Sequence, residues 1–409
     1  MYALTLFPLV YGEYWAPLII FCIALVLMRN RLRLLVDVPK ATLLLIGLLV
    51  VGGLSYQMTG RITEANFLRD FLIVLNIILL YVSGYWMGRI SWDRFVEALK
   101  FSSACYSFFY LIKFGYLLTT AGIDIGDAQS YRLQMGAGEF IVAIGLYVYI
   151  ADFKRHSLII PAVLVTVALL TQSRTLILYL IILSTMAVNF RTYRSQRRLF
   201  LLFISAQVIV VSGVLYFLFL SYTSALPSPQ GDRDLMEKLQ ASLVEILPAY
   251  YYKSEVGYFW RGFETYVALE VFKDSSTYQS LFGRGMGFAI PLPYEMTLAG
   301  NSFIELPFLH NGYATVLVKF GVVGLFLYAT FLLVQLRVAL KDDLATLYSA
   351  TVLFTIFATL IMAGPFEKND FTHVTLLLGA LYGRSSAARV TAKRAARFVA
   401  TGTLQMQRV

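Results

Sequence analysis

The sequence predicts an all-α polytopic membrane protein, with about 11 to 12 transmembrane helices and one large external loop that contains short helices. Two observations support this fold class. The 409-residue chain is 58% hydrophobic and only 14% charged, which is too apolar for a soluble domain of this size. Its apolar stretches are long enough to cross the ~30 Å hydrocarbon core as helices, and they lack the alternation of barrel strands.

The predicted spans follow one another along the chain, with short polar breaks between most of them. They lie near residues 14–28, 40–57, 66–88, 98–119, 132–152, 157–172, 174–190, 199–221, 309–340, 343–363 and 372–388. Basic residues in alternate breaks and after the last span mark the cytoplasmic side. Eleven spans place the N-terminus outside, whereas a further short helix within residues 1–15 makes twelve and places both ends inside. The sequence leaves these two topologies open.

The spans divide the chain into four parts. These are N-terminal transmembrane helices at 1–221, a large loop at 222–308, C-terminal transmembrane helices at 309–388 and a basic cytoplasmic tail at 389–409. The loop carries six Lys and Arg residues against ten Asp and Glu residues, a net charge of −4, and apolar residues at helical spacing predict short helices within it. The net charge of +10 for the whole chain lies mainly at the flanks of spans, which favours lipid headgroups over nucleic acid.

Several cations stand at the outward ends of the spans, where basic residues are normally scarce. They are Arg69, Lys113, Arg132, Arg174 and Lys319. Singly, each could reach lipid headgroups or pair with Asp70 or Glu139. As a set they favour a polyanion site at the outer face, and the polyanion expected there is a lipid-linked diphosphate. Arginine suits that ligand because its planar guanidinium holds two phosphate oxygens and stays protonated.

His310 stands at the start of the predicted ninth span and is one of only three histidines, with His156 and His373. An imidazole titrates near neutral pH and can accept a proton, so His310 is a candidate general base. The structural alternative is that His310 and Asn311 simply begin the span, with Asn311 as the helix cap.

The large loop holds further motifs. FGRGMG at 282–287 favours a plain turn, with a phosphate-binding nest that uses Arg284 as the alternative. AYYYKSEVGYFWRGF at 249–263 is typical of membrane-interface anchors, and Arg261 is its candidate functional residue. GDRD at 231–234 favours a solvated loop over a metal site, and the sequence predicts no metal and no cofactor.

Three motifs together resemble the O-antigen polymerase and O-antigen ligase superfamily of bacterial inner-membrane glycosyltransferases. The first is LTQSRT, with Arg174 after a span. The second is RGFETYVALEVFKDSSTYQSLFGRGMG, an arginine followed by an amphipathic helix and a Gly-x-Gly turn. The third is HNGYATVLVKFGVVGL, a His-Asn pair followed by an aromatic residue and a glycine-bearing span. Their order and rough spacing agree with the family over residues 160–340.

The resemblance implies an enzyme that transfers an undecaprenyl-diphosphate-linked glycan to a sugar hydroxyl at the periplasmic face of the bacterial inner membrane. The reaction would need no metal, and attack opposite the leaving diphosphate predicts inversion at the anomeric carbon. His310 would be the catalytic base, and Arg174 and Arg261 would be the catalytic arginines that hold the diphosphate. Apart from the resemblance, the outward cations Arg132 and Lys319 and Arg284 of the glycine-rich turn are further candidate ligands of the diphosphate.

The resemblance alone does not choose the acceptor. Ligases of the superfamily commonly carry an acidic residue before the glycine of the third motif, whereas this chain has Lys319 two residues before Gly321. This difference favours a polymerase of O-antigen or exopolysaccharide over a ligase that acts on lipid A core. A flippase for the same lipid-linked glycan is the alternative from another class. The expected partners are membrane lipid and the lipid-linked glycan, with a chain-length regulator or a flippase as further candidates, and no nucleic acid.

Overall fold

A computed structural model describes most of the predicted spans and the second half of the large loop. The described residues are 15–28, 39–56, 63–120, 139–151, 159–171, 173, 175–176, 178–183, 185, 248, 256, 259–298, 301–341, 345–366 and 371–406. The predicted span at 199–221, the start of the large loop and the motif at 231–234 lie outside them. Helices account for 83% of the described part, which confirms the mostly helical character of the predicted fold.

The described elements are numbered here in chain order. They are α1 (Trp15–Met28), α2 (Lys40–Tyr56), α3 (Glu64–Ile90), α4 (Trp92–Thr120), α5 (Phe140–Ala151), α6 (Ile159–Leu170), α7 (Trp260–Lys273), α8 (Thr277–Phe282), β1 (Ile290–Leu298), β2 (Asn301–Leu306), α9 (Gly312–Ala339), α10 (Ala345–Met362), a 3₁₀ turn (Gly364–Phe366) and α11 (Thr372–Met406).

The structure supports the membrane prediction in part, with fewer candidate spans than the sequence predicts. Of the described helices, α3 and α9 are long and apolar enough to cross a membrane. Shorter apolar helical segments lie at Lys40–Ser55, Phe140–Tyr149, Ile159–Leu170 and Leu347–Ile361. Each coincides with a predicted span. The last predicted span and the basic tail as far as Met406 form one continuous helix, α11.

Helices α3 and α11 pack closely because glycines face backbone on both sides of the contact. A Cβ atom at Gly84 would meet the Leu376 carbonyl oxygen, and a Cβ atom at Gly379 would meet the Tyr81 carbonyl oxygen. Gly88 and Gly383 repeat this arrangement one turn along. Each helix therefore carries two glycines four residues apart, a spacing that lets helix backbones approach each other in a membrane.

Helix α9 is broken at Gly321, which has φ 68° and ψ −168°. This left-handed region favours glycine. The carbonyls of Val318 and Lys319 just before the break accept hydrogen bonds from the amides of Arg284 (2.8 Å) and Gly285 (3.0 Å). The glycine-rich turn is therefore fastened to the kink of α9, and the two motifs form one structural unit.

The large loop contains the predicted short helices, α7 and α8, and also an antiparallel hairpin of β1 and β2 that the sequence analysis did not predict. The hairpin packs with α7 in a small apolar cluster separate from the main helical core. Its members include Trp260, Phe263 and Val267 of α7 with Ile290 and Leu306 of the hairpin. This cluster places the end of β2, and therefore the following residues up to His310, beside α7.

Candidate functional site

The His310 imidazole is held by a carboxylate of the large loop. Its Nδ1 atom lies 2.9 Å from Glu264 Oε2, and its backbone amide donates to the same oxygen at 3.1 Å. The Glu264 side chain is only 2% exposed, whereas that of His310 is 32% exposed. In a neutral ring with its proton on Nδ1, this contact would be a hydrogen bond donated to Glu264, and the basic lone pair would then lie on Nε2.

Helix α7 supplies both Glu264 and the predicted site residue Arg261. The two residues are three apart in the helix, so they lie on neighbouring positions of one face. Trp260 and Phe263 anchor α7 in the loop cluster, while Arg261 is half-buried. Among the described residues, no hydrogen bond or ion pair holds the Arg261 guanidinium.

The first turn of α7 is also suited to an anion. Phe259 at the N-cap provides no side-chain hydrogen bond to the first-turn amides. The N-terminus of a helix carries partial positive charge, and Arg261 adds a full charge in the same turn. The beginning of α7 therefore carries positive charge, three residues before the carboxylate that binds His310.

Lys319 lies in a different environment from the one predicted for a diphosphate ligand. Its side chain is 3% exposed and pairs with Asp70 of α3, and its Nζ donates to the Pro307 carbonyl at 2.7 Å. Arg69 donates to the other oxygen of Asp70 at 2.8 Å and to the same Pro307 carbonyl at 2.7 Å. The pairing with Asp70 that the sequence left as the alternative is thus confirmed for both cations.

The glycine-rich turn offers no free amide for a phosphate nest. The amides from Gly283 to Phe288 all donate within the protein, that of Met286 to the Gly52 carbonyl (3.3 Å) and that of Gly287 to Asp70 Oδ2 (2.7 Å). This arrangement agrees with the plain turn that the sequence favoured.

The Arg284 guanidinium closes the C-terminal end of α7. It donates to the Val271 carbonyl at 2.9 Å and to Ser275 Oγ at 3.1 Å, and it lies 5.1 Å from the centre of the Phe288 ring. Burial lowers the pKa of Arg284 from its ordinary value, and the negative charge of Asp274 opposes that shift. Its role as a diphosphate ligand stays a prediction, and these contacts favour a structural role.

The remaining predicted site residues, Arg174 and Arg132, lie outside the described part of the chain. Ser173, next to Arg174, is described. Its hydroxyl donates to Glu139 at 2.6 Å and accepts from the Leu176 amide at 3.2 Å, as a helix-capping residue does. Glu139, the other acid considered as a partner for the outer cations, is therefore bound to Ser173.

Glu264 was not predicted from the sequence, although it lies in the second of the three motifs, three residues after Arg261. The available signal was its position one helical turn after Arg261, on a segment already predicted to be a helix. Phe308 was not predicted either; it is 49% exposed, and its ring centre lies 6.3 Å from that of His310 and 6.0 Å from the Arg69 guanidinium. Among the described residues, no group of three or more His, Cys, Asp and Glu side chains is placed to hold a metal ion.

Comparison with known proteins does not place the chain in a family. No family model matches it, and no curated protein has a matching sequence.

Proposed function

We propose that this chain is a multi-pass glycosyltransferase of the bacterial inner membrane that polymerises a surface polysaccharide, such as O-antigen or exopolysaccharide. It would transfer an undecaprenyl-diphosphate-linked glycan to the sugar hydroxyl of another lipid-linked repeat unit at the periplasmic face. The observation that carries the proposal is the hydrogen bond between His310 and the buried Glu264, on the same helix turn that presents Arg261.

Exposed apolar side chains support the multi-pass arrangement. Large hydrophobic residues on several helices have more than half of their surface exposed. Examples are Leu54 (65%), Phe109 (68%), Leu169 (68%), Phe326 (69%) and Leu333 (62%). Such extensive apolar surface is unfavourable in water and is expected where a helix faces lipid.

The chemistry available at the site fits transfer from a diphosphate. The acceptor hydroxyl oxygen would attack the anomeric carbon while the bond from that carbon to the diphosphate oxygen breaks. The hydroxyl proton would pass to Nε2 of His310, and the positive charge that forms on the ring would be stabilised by Glu264. Undecaprenyl diphosphate would leave with its charge neutralised by Arg261 and the first turn of α7, so no acid is needed to protonate it. Attack on the face opposite the diphosphate inverts the anomeric centre.

A flippase is less well supported by the polar groups in the helical core. Gln335 of α9 donates to the Tyr81 hydroxyl and accepts from the Tyr348 hydroxyl, both at 2.6 Å. All three side chains are buried. This chain of hydrogen bonds joins α3, α9 and α10 through groups that satisfy one another. A transporter would instead use mid-membrane polar groups to line a substrate cavity.

Deletion of the gene tests the proposal and separates it from the ligase. The deletion strain is complemented with wild type or with Arg261→Lys, and the surface glycan is separated on a gel. A single-repeat product in the deletion strain supports a polymerase, whereas long chains stranded on undecaprenyl carrier indicate a ligase. A wild-type glycan ladder in the deletion strain would refute both activities.

The Arg261→Lys variant tests the clamp itself. Lysine keeps the charge but cannot hold two phosphate oxygens in one plane. We expect the variant to insert and fold as wild type does and to yield little polymer. Full polymer from Arg261→Lys would remove Arg261 from the mechanism.

A further inference from the structure

The segment from Pro307 to His310 is fixed at both ends by different parts of the protein. At its start, the Pro307 carbonyl accepts from both Lys319 Nζ and Arg69 Nη2, each at 2.7 Å. At its end, the His310 amide and ring both bind Glu264. Between these points Leu309 is buried and Phe308 is half exposed. The position of the imidazole therefore depends on two separate sets of contacts.

Asp70 organises the contacts at the Pro307 end. Its Oδ2 atom accepts from Lys319 and, at 2.7 Å, from the Gly287 amide, while its Oδ1 atom accepts from Arg69 at 2.8 and 3.2 Å. One carboxylate thus holds two cations and the glycine-rich turn together. Asp70 and Lys319 are both buried, with side chains 6% and 3% exposed.

Stabilisation of the fold alone does not explain the buried ion pair of Asp70 and Lys319. Taking two charges out of water costs free energy that their attraction often fails to exceed, and well-packed apolar residues frequently stabilise such a position equally well. What Asp70 and Lys319 provide, and apolar residues do not, are directed hydrogen bonds. Lys319 and Arg69, the two cations bound to Asp70, each donate a hydrogen bond to the Pro307 carbonyl, three residues before His310.

We propose that Asp70, Lys319 and Arg69 form a positioning unit that fixes the Pro307–His310 segment and so keeps the His310 imidazole in register with Glu264. None of the three touches the reacting atoms. The effect on turnover rests on the proposed function, whereas the effect on the segment itself does not. Such support from residues behind the site is what holds a catalytic group within the small tolerance that turnover requires.

The test uses the full chain in nanodiscs with the paired substitution Asp70→Asn and Lys319→Met. The pair leaves the net charge unchanged, and asparagine retains an oxygen that can accept from the Gly287 amide. The matched control is Glu270→Gln with Lys273→Met, which removes an exposed ion pair of 2.5 Å from α7 with the same change in charge. Arg69→Gln is a second, milder variant, because Arg69 lies at the edge of the unit with its side chain 15% exposed.

Two measurements do not depend on turnover. Hydrogen exchange of the peptide that covers residues 307–312 reports how firmly the segment is held. Nitrogen-15 NMR of histidine-labelled protein reports which ring nitrogen of His310 carries the proton, and the chain has only three histidines to assign. We expect exchange at the His310 amide to rise at least ~10-fold in the paired variant. A rise of this size corresponds to the loss of one charge-assisted hydrogen bond. Arg69→Gln should cause a smaller rise, and the control none.

The third measurement is turnover of the lipid-linked repeat extracted from the deletion strain. We expect kcat to fall ~10-fold in the paired variant while KM for the donor stays near the wild-type value, because Arg261 and the first turn of α7 are unchanged. Exchange equal to that of the control in both the paired variant and Arg69→Gln would overturn the proposal, and so would unchanged kcat with faster exchange. If exchange rises but wild type itself makes no polymer, the proposed function fails and the structural role of the unit stands.

Discussion

Glu264→Gln is the sharpest single test of the site. Glutamine has the same shape as glutamate, so the apolar contacts of α7 are kept. Glu264 Oε2 accepts two hydrogen bonds from His310, at 3.1 and 2.9 Å, and the glutamine carbonyl oxygen can accept the same two bonds but without the negative charge that strengthens them. The glutamine amide group can also donate to Nδ1, which would move the ring proton to Nε2 and remove the lone pair that accepts the proton.

The size of the effect follows from these contacts. A hydrogen bond to a charged group contributes ~1.5–3 kcal/mol, which corresponds to ~10–150-fold in rate if it is made fully in the transition state. A base held in the wrong tautomer loses up to ~10⁴-fold. We therefore expect kcat of Glu264→Gln to fall at least ~10-fold, with larger losses if the proton moves to Nε2.

The assay compares Glu264→Gln with Glu270→Gln, its matched control on the same helix. Glu270 is exposed and pairs with Lys273, so its loss should leave turnover unchanged and affect stability little. Turnover is measured on the extracted lipid-linked repeat, and the tautomer of His310 by nitrogen-15 NMR. Wild-type kcat in Glu264→Gln, with the variant folded, would refute the assignment of His310 as a base oriented by Glu264.

Two further predictions concern the frame around the site. Gly84→Ala should lower the free energy of unfolding by ~1–3 kcal/mol, because its methyl group would overlap the α11 backbone, whereas a Cβ atom at Gly53 meets nothing within 4 Å and Gly53→Ala should be neutral or slightly stabilising. Arg284→Met should lower that free energy by ~1–3 kcal/mol through the lost bonds to Val271 and Ser275 but leave KM for the donor unchanged. Thermal unfolding in nanodiscs measures the stability of both variants, and turnover at a series of donor concentrations measures KM for Arg284→Met. Equal unfolding midpoints for the two glycine variants would contradict the packing argument, and a raised donor KM in Arg284→Met would restore its role as a diphosphate ligand.

The helices were predictable because their signal is local. A long apolar run with few charges specifies a helix in lipid whatever it packs against, and α3 and α9 follow the predicted spans closely. The hairpin was not predictable in the same way. Its first strand contains Pro291 and Pro293, which lack the amide that a strand uses for pairing and therefore argue against a strand in the sequence.

The pairings within the site could be predicted only in part, because they join residues far apart in the chain. Glu264 and His310 are 46 positions apart, and Lys319 and Asp70 are 249 positions apart. Composition and spacing identified His310 and Lys319 as unusual residues and named Asp70 as one candidate partner. Neither could determine which carboxylate meets which cation, since that depends on how α3, α7 and α9 come together.

The structure also gives two of the outer cations contacts that differ from those predicted for a diphosphate site. The sequence treated Arg69 and Lys319 as part of one polyanion site, but the geometry uses both to hold Asp70 and the Pro307 carbonyl. Among the described residues that were predicted to bind diphosphate, Arg261 is then the cation best placed to do so. If the proposed function holds, the diphosphate binds at the first turn of α7, and the acceptor approaches the exposed edge of His310. Donor and acceptor would then meet beside Glu264. This residue belongs to α7, whose first turn would bind the donor, and it also binds His310, which would act on the acceptor.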